Sequence, residues 1–509
     1  MNSRKDELNG YFEERYLDLR FEEQLPSFYC PENVVEFREK LRILLLEIYK
    51  DFKFNVLAIT CFTSFTFLNC IEVSWMIKHY INPDCQIIVG GVHPTTYPED
   101  FFAENIPKYF GNQYPKKSTP FDAICIDEGE KAFFSFIKNL ISGKWKYRKN
   151  LQQNPIILER ELMNDLNEIP LIDLSLFKKY RHIFEKKGEF YINFSRGCLY
   201  TCKFCSSSID SRMESYRKVR IKSVEKCIAE LKIILNTGWL SNLKKVMIDD
   251  AVFFPKRSQR EKFFKELDKI YREYDDIPFQ LFIHDRMEIC SIKDLERYKK
   301  YNIVPGFGLE TGSPTLLCRL GKFLGKNNNL NNATKYLKLA EDLIKKANEL
   351  DTPIVFLCMA VCPGTDRETI RQSRHFFLDK RYPNGKDNSL SLIERYKVNL
   401  QIQKFGLLPG NTFYLKGEEL FPGSKYYFKE WYKIFDKEQG LYSAIFKPSA
   451  DISFPKAMDY FIDFLKSLYK SQLRLKNDFY TLAELMYHIK LYSRMLEIYQ
   501  NKDRDEKNE

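Results

Sequence analysis

Ser195-Arg-Gly-Cys-Leu-Tyr-Thr-Cys-Lys-Phe-Cys205 sets Cys198, Cys202 and Cys205 in one short stretch with C-x3-C-x2-C spacing. The chain has 13 Cys among 509 residues. At that frequency the triple spacing is expected by chance about 0.01 times. Three thiolates on one loop can hold three irons of a cubane cluster. Such clusters normally take four cysteines, so the fourth iron is left open to a substrate or cofactor. The competing reading is a zinc knuckle, which needs a fourth ligand. The nearest histidines, His182 and His284, lack zinc-finger spacing.

Working outward, Phe190–Ser195 reads as a strand leading into the loop. Further candidate strands follow at Lys245–Asp250, Phe279–His284, Val304–Glu310, Ile354–Val361 and Val398–Lys404. Helical periodicity lies between them. Ser223–Asn236 repeats apolar residues at Val224, Ile228, Leu231 and Leu235, and Asn332–Leu350 at Leu337, Ala340, Ile344 and Ala347. Six strands with crossover helices predict an α/β fold containing an incomplete (β/α)6 barrel. The cysteine loop then sits at the barrel mouth, because loops that follow barrel strands gather there.

Upstream, Val56–Thr60, Gln86–Gly91 and Asp122–Asp127 are short apolar runs separated by helical stretches, including Cys70–Tyr80. They predict a parallel, doubly wound sheet. A helix is expected over Val34–Tyr49. Helices are also expected at Lys456–Leu475 and Thr481–Tyr499, with the last ten residues frayed. The predicted organisation is a helical lead (1–50), a Rossmann-like sheet (51–145), a linker (146–188), the barrel (189–414) and a helical C-terminal region (415–509).

Bulk properties narrow the class. A net charge of +11, from 80 basic and 69 acidic residues, is mild and dispersed, so a nucleic-acid partner is not expected. No run of 18 apolar residues is present, so no membrane span is expected. No secretory signal is visible and the Cys count is odd, which points to a reducing cytoplasm.

The cysteine loop resembles the signature of the radical SAM superfamily. There the open iron of a [4Fe-4S] cluster chelates S-adenosylmethionine. The resemblance implies cluster ligation by Cys198, Cys202 and Cys205, and cofactor contacts at Phe204, Asp249, Asp250 and Arg286. Gly306-Phe-Gly-Leu-Glu-Thr-Gly-Ser-Pro314 resembles the segment whose Glu, here Glu310, binds the ribose hydroxyls. Arg286 is implied for the methionine carboxylate, with a surface salt bridge as its alternative reading.

Val89-Gly-Gly-Val-His-Pro-Thr95 and Asp127-Glu-Gly-Glu130 look like the cobalamin-binding domain of the B12-dependent radical SAM class. Gly stands more typically where this chain has Asp127. The resemblance implies cobalamin contacts at Thr63, Ser64, Gly90, Gly91, His93, Glu128, Gly129 and Glu130. The His-on motif D-x-H-x-x-G is absent, which implies base-off cobalamin with His93 in a loop near the corrin. The implied activity is methyl transfer from S-adenosylmethionine, through methylcobalamin, to an unactivated carbon or phosphorus centre of a natural product or peptide. A one-electron donor such as flavodoxin or ferredoxin is the implied partner. A non-methylating B12 cyclase remains open. So does a methylthiotransferase, for which Cys61, Cys70, Cys85 and Cys125 could supply a second cluster.

Overall fold

The computed structural model describes residues 12–107, 115–207, 213–237, 243–274, 277–381 and 389–508. Two parallel sheets are joined in series. The first contains β1 (Val56–Thr60), β2 (Gln86–Gly90), β3 (Ala123–Cys125) and β4 (Ile156–Ile157), in that spatial order. All three pairings are parallel. Alternation along β2 divides its side chains between two cores. Ile87 and Val89 pack with Leu41 and Leu45 of the helix Val34–Asp51 and with the helix Phe67–Met76. Ile88 packs with Phe134, Phe136 and Ile137 of the helix Gly129–Ile141.

Helices therefore cover both faces, as expected of a doubly wound sheet, but the strand order never reverses. Among the described strands there is thus no crevice of the kind that such a reversal opens for ligands. The stretch expected to be a linker is more than a tether: Ile156 and Ile157 add β4 to the sheet edge.

The second sheet contains β5 (Glu189–Ile192) and, after a two-stranded hairpin of β6 (Ser195–Arg196) and β7 (Arg220–Ile221), five further strands. These are β8 (Lys245–Ile248), β9 (Gln280–Asp285), β10 (Ile303–Glu310), β11 (Val355–Met359) and β12 (Leu400–Gln403). The six main strands are ordered sequentially from β5 to β12, and each neighbouring pair is parallel. The outer strands β5 and β12 do not pair with one another, so the barrel is open. All six expected barrel strands form, within a few residues of their expected ends.

The C-terminal region is not wholly helical. Lys425–Tyr426 and Phe446–Lys447 form a small antiparallel pair before the helices Phe454–Arg474 and Phe479–Asn508. The last helix runs to Asn508, where fraying was expected. No described helix is long and apolar enough to cross a membrane.

Candidate functional site

The cysteine loop leaves β5 and is held on three sides. Its base is set by Asp250, just beyond β8, whose Oδ1 accepts from the backbone N–H of Phe194 (2.8 Å) and Ser195 (2.9 Å). Its far end turns on itself through Cys205 N–H to the Cys202 carbonyl (3.1 Å). Lys203 N–H donates to the carbonyl of Leu320, beyond β10 (2.9 Å), and the Lys203 carbonyl accepts from Phe413 N–H (3.1 Å). Asn411 donates its side-chain amide to the Phe204 carbonyl (3.0 Å). The three cysteines thus lie where the C-terminal ends of β5, β10 and β12 meet.

All three are free thiols. Burial pushes Cys205 up to about 12 and Cys202 above the ordinary thiol value, with Lys322 and Arg286 opposing the rise at Cys202. Ligands must be thiolates, so loading iron here releases protons. Among the described residues no three His, Cys, Asp or Glu side chains converge closely enough to hold one metal ion.

Facing the loop is a compact charged group. Glu310 ends β10 at a register shift, with φ +67°, a conformation that bulky L residues rarely adopt. Lys322 Nζ, 4% exposed, binds Glu310 Oε1 at 2.8 Å. Gly308 makes the room: a Cβ there would lie 2.6 Å from Glu310 Oε1 and 2.7 Å from Lys322 Nζ. Burial acts to lower the Lys322 pKa, and the Glu310 and Tyr336 side chains outweigh it, leaving the ammonium above its ordinary value. Arg286, also buried, pairs with Glu288 (2.6 Å), lies 3.6 Å above the Tyr200 ring and donates to the Lys322 carbonyl (3.3 Å). It is a buried clamp on the cysteine loop, and neither a surface salt bridge nor a free anion anchor.

The acidic pair after β8 separates. Asp249 is half exposed, 4.0 Å from the His284 ring. Asp250 is buried and spent on the Phe194 and Ser195 amides, so its expected cofactor contact gives way to positioning the loop. Burial pushes its carboxyl up to about 6, partly opposed by those two amides. A carboxyl raised in the fold holds its proton where the unfolded chain has lost it. Stability is therefore lost as pH rises from the ordinary value of 3.8 through about 6. Asp250→Asn keeps the acceptor and removes the titration. Between about pH 4 and about pH 7 the wild type should lose about 2–3 kcal/mol more than the variant in urea unfolding. Parallel pH profiles would refute the assignment.

On the first sheet, most residues expected to contact cobalamin are turned to protein partners. His93 is 1% exposed, bonded to Ser64 Oγ through Nδ1 (2.8 Å), with Nε2 3.3 Å from Asp100. Phe67, Phe101 and Tyr432 surround its ring, so it is a core residue and not part of a loop beside a corrin. Gly91 adopts φ +111°, and a Cβ there would stand 2.7 Å from the Cys61 carbonyl. The glycine permits packing on the end of β1. Gly129 opens its helix and Gly90 packs near Cys125. Thr63 remains half-buried at the start of the turn before Phe67.

The acidic turn Asp127–Glu130 grips the barrel. Glu128 accepts from both Arg220 terminal nitrogens (2.8 and 2.7 Å) and lies 3.1 Å from Arg196, two residues before Cys198. Glu130 also pairs with Arg196. Asp127 has φ +60°, the left-handed conformation that glycine favours, and accepts from the Ser215 amide and hydroxyl. These carboxylates form a latch from the first sheet to the β6–β7 hairpin. Cys61, Cys70, Cys85 and Cys125 are all buried in the packing of the first sheet, and burial pushes Cys85 up to about 12 and Cys125 up to about 11. That is the setting of core thiols and counts against a second cluster there.

Sequence reading missed Lys322, Arg196, Arg220 and Asn411. The last lies in Leu408-Pro-Gly-Asn411, whose Pro-Gly turn is visible, but its partner Phe204 is 207 residues away.

No protein-family model matches the chain. It is 25% identical over 176 residues to an anaerobic magnesium-protoporphyrin IX monomethyl ester cyclase of Rubrivivax gelatinosus, covering 32% of this chain and 28% of that protein. It is 27% identical over 288 residues to an uncharacterized methyltransferase of Pyrococcus horikoshii, covering 55% of this chain and 56% of that protein. The chain thus spans little more than half the length of these curated relatives at most. Among solved structures, OxsB, a cobalamin-dependent S-adenosylmethionine radical enzyme, in the form with aqua-cobalamin and S-adenosylmethionine bound, matches with TM-score 0.56 and 15% identity. The match covers 93% of this chain and 70% of that one. TsrM from Kitasatospora setae, a radical S-adenosylmethionine methyltransferase with cobalamin and a [4Fe-4S] cluster bound, matches with TM-score 0.53 and 13% identity over 76% of this chain and 69% of that one.

Proposed function

We propose that this chain, which has the fold of the cobalamin-dependent radical SAM enzymes, is itself such an enzyme and a methyltransferase. In this reading a methyl group passes from S-adenosylmethionine to an unactivated carbon or phosphorus centre of a natural product or peptide. The observation that carries it is the meeting of the cysteine loop, the Glu310–Lys322 pair and Arg286 at one end of the open barrel.

The residues present fit a [4Fe-4S] cluster: three free cysteines on one anchored loop. When bound, such a cluster supplies one-electron reductive cleavage of S-adenosylmethionine. Glu310, fixed by Lys322, presents acceptor oxygens to two vicinal hydroxyls. Arg286 holds Tyr200, and hence the loop, against the β9 end. Lys322 and Arg286 stand beside the cysteines with their charges matched by Glu310 and Glu288, so the group positions donors there without a net positive charge.

Cobalamin fits less well. Ser64, His93, Glu128 and Glu130 are engaged elsewhere, and the sheet offers no reversal crevice. That observation favours a second reading, a radical SAM enzyme of this fold that does not depend on a corrin.

Anaerobic reconstitution with iron, sulfide and hydroxocobalamin tests both readings, with flavodoxin or ferredoxin as electron donor. The first expects corrin bands retained after desalting, and equal release of 5′-deoxyadenosine and S-adenosylhomocysteine with the substrate present. Cleavage without corrin retention would establish the second. S-adenosylhomocysteine missing during substrate turnover would mark a non-methylating enzyme, as in the cyclase reading.

A further inference from the structure

A cleft opens on the outer side of the barrel and reaches its mouth at Glu310, with free space of about 610 Å³ counting its opening. Its floor is the outward face of β11 and β12, at Cys358, Leu400 and Ile402. One wall is the helix Arg367–Leu378, through Ile370 and Phe377. The other is the C-terminal helix Phe454–Arg474, through Ala457, Phe461 and Phe464. Nothing in the barrel motifs requires this third element, and without it the cleft would be a bare strand face.

The lining is mostly apolar, and of its two charged members, Glu310 and Arg374, the first is already paired with Lys322. Arg374 lines the wall, is half-buried, and makes no ion pair or hydrogen bond among the described residues. The neighbouring basic side chains on its helix are differently placed: Arg371 is exposed and pairs with Glu368. A guanidinium drawn against apolar surface without a partner gives up hydration and gains nothing within the protein. Its forked donors suit a carboxylate or phosphate. Lys456, exposed and next in sequence to the lining residue Ala457, lies 5.1 Å from the Tyr460 ring and makes no ion pair among the described residues. The Thr311–Ser373 hydroxyl bond (2.9 Å) closes the cleft beside Glu310 without adding charge.

We propose that this cleft is the substrate site, and that it takes a small molecule with an apolar, ring-sized body and an anionic group, the latter held by Arg374. Calling the ligand a substrate rests on the proposed enzyme reading; the binding itself does not. The shared Glu310 connects the two, since the ligand's inner end lies at the mouth where the cysteine loop stands.

Calorimetric titration of the full chain with 3-phenylpropionate and with its uncharged isostere 3-phenylpropanamide tests this. The acid should bind at least about tenfold more tightly than the amide, the worth of one charge-assisted contact. Arg374→Gln, on a half-buried position, should bring the two affinities together. Ala457→Leu should weaken both by narrowing the cleft. The variant with Cys198, Cys202 and Cys205 all replaced by Ala should bind the acid as the wild type does, so failure of the enzyme reading would leave this binding intact. Equal affinities for acid and amide in the wild type, no saturable binding of the acid, or an acid preference that survives Arg374→Gln would each overturn the proposal.

Discussion

Replacing Cys198, Cys202 and Cys205 together with alanine is expected to leave a folded protein that retains no iron–sulfur absorbance after reconstitution. It should release no 5′-deoxyadenosine above background. The loop's position does not depend on its thiols. It is pinned by backbone bonds to Leu320 and Phe413, by the Asn411 amide and by Asp250 at its base. Of the three, Cys202 is buried at 8% exposure and the other two are half-buried, so each change should cost about 1 kcal/mol and the three together about 3 kcal/mol at most. A variant that still unfolds cooperatively in urea, yet binds no iron, separates ligation from folding. Iron retained at wild-type stoichiometry would remove the cluster assignment altogether.

The second large effect is at Lys322. Its ammonium is almost fully buried and its carboxylate partner, Glu310, is 8% exposed. Removing one partner of a buried pair strands the other charge, at a cost of about 3–5 kcal/mol. Lys322→Met is expected to destabilise the chain by that amount in urea unfolding. The double change Lys322→Met, Glu310→Gln should recover most of it, because no charge is then left alone. If the pair mattered only for cofactor binding, both variants would unfold with the wild type. If Glu310 is the hydroxyl acceptor, the double variant should be stable but bind S-adenosylmethionine at least tenfold more weakly. Stability and binding thus report on the two partners separately.

Much of the barrel was legible because its signals are local. Each strand is a short apolar run, and each crossover helix shows a 3.6-residue apolar repeat. The cysteine spacing and the Gly-Leu-Glu-Thr-Gly segment are each confined to a few consecutive residues. The first sheet was legible as strands and helices but not as a ligand site. Val-Gly-Gly-Val-His-Pro reads alike whether His93 faces a cofactor or, as here, Ser64 and Asp100 in a packed core. Likewise Asp127-Glu-Gly-Glu130 gives no local sign that its carboxylates are to meet Arg196 and Arg220. The fourth strand escaped notice because two residues in an irregular stretch carry no periodicity.

By itself the sequence determined the order of the barrel strands and their helices, the parallel barrel and the three cysteines at the end of its first strand. Those follow from periodicity and spacing, which are properties of neighbouring residues. The tertiary structure alone decided which charges meet. It paired Lys322 with Glu310 across the space left by Gly308, set Asp250 under the loop, turned the acidic latch onto Arg196, and left Arg374 unpaired beside an apolar cleft. The physical reason is that a charge's role depends on its burial and on the nearest opposite charge, and both are fixed by residues distant in the chain.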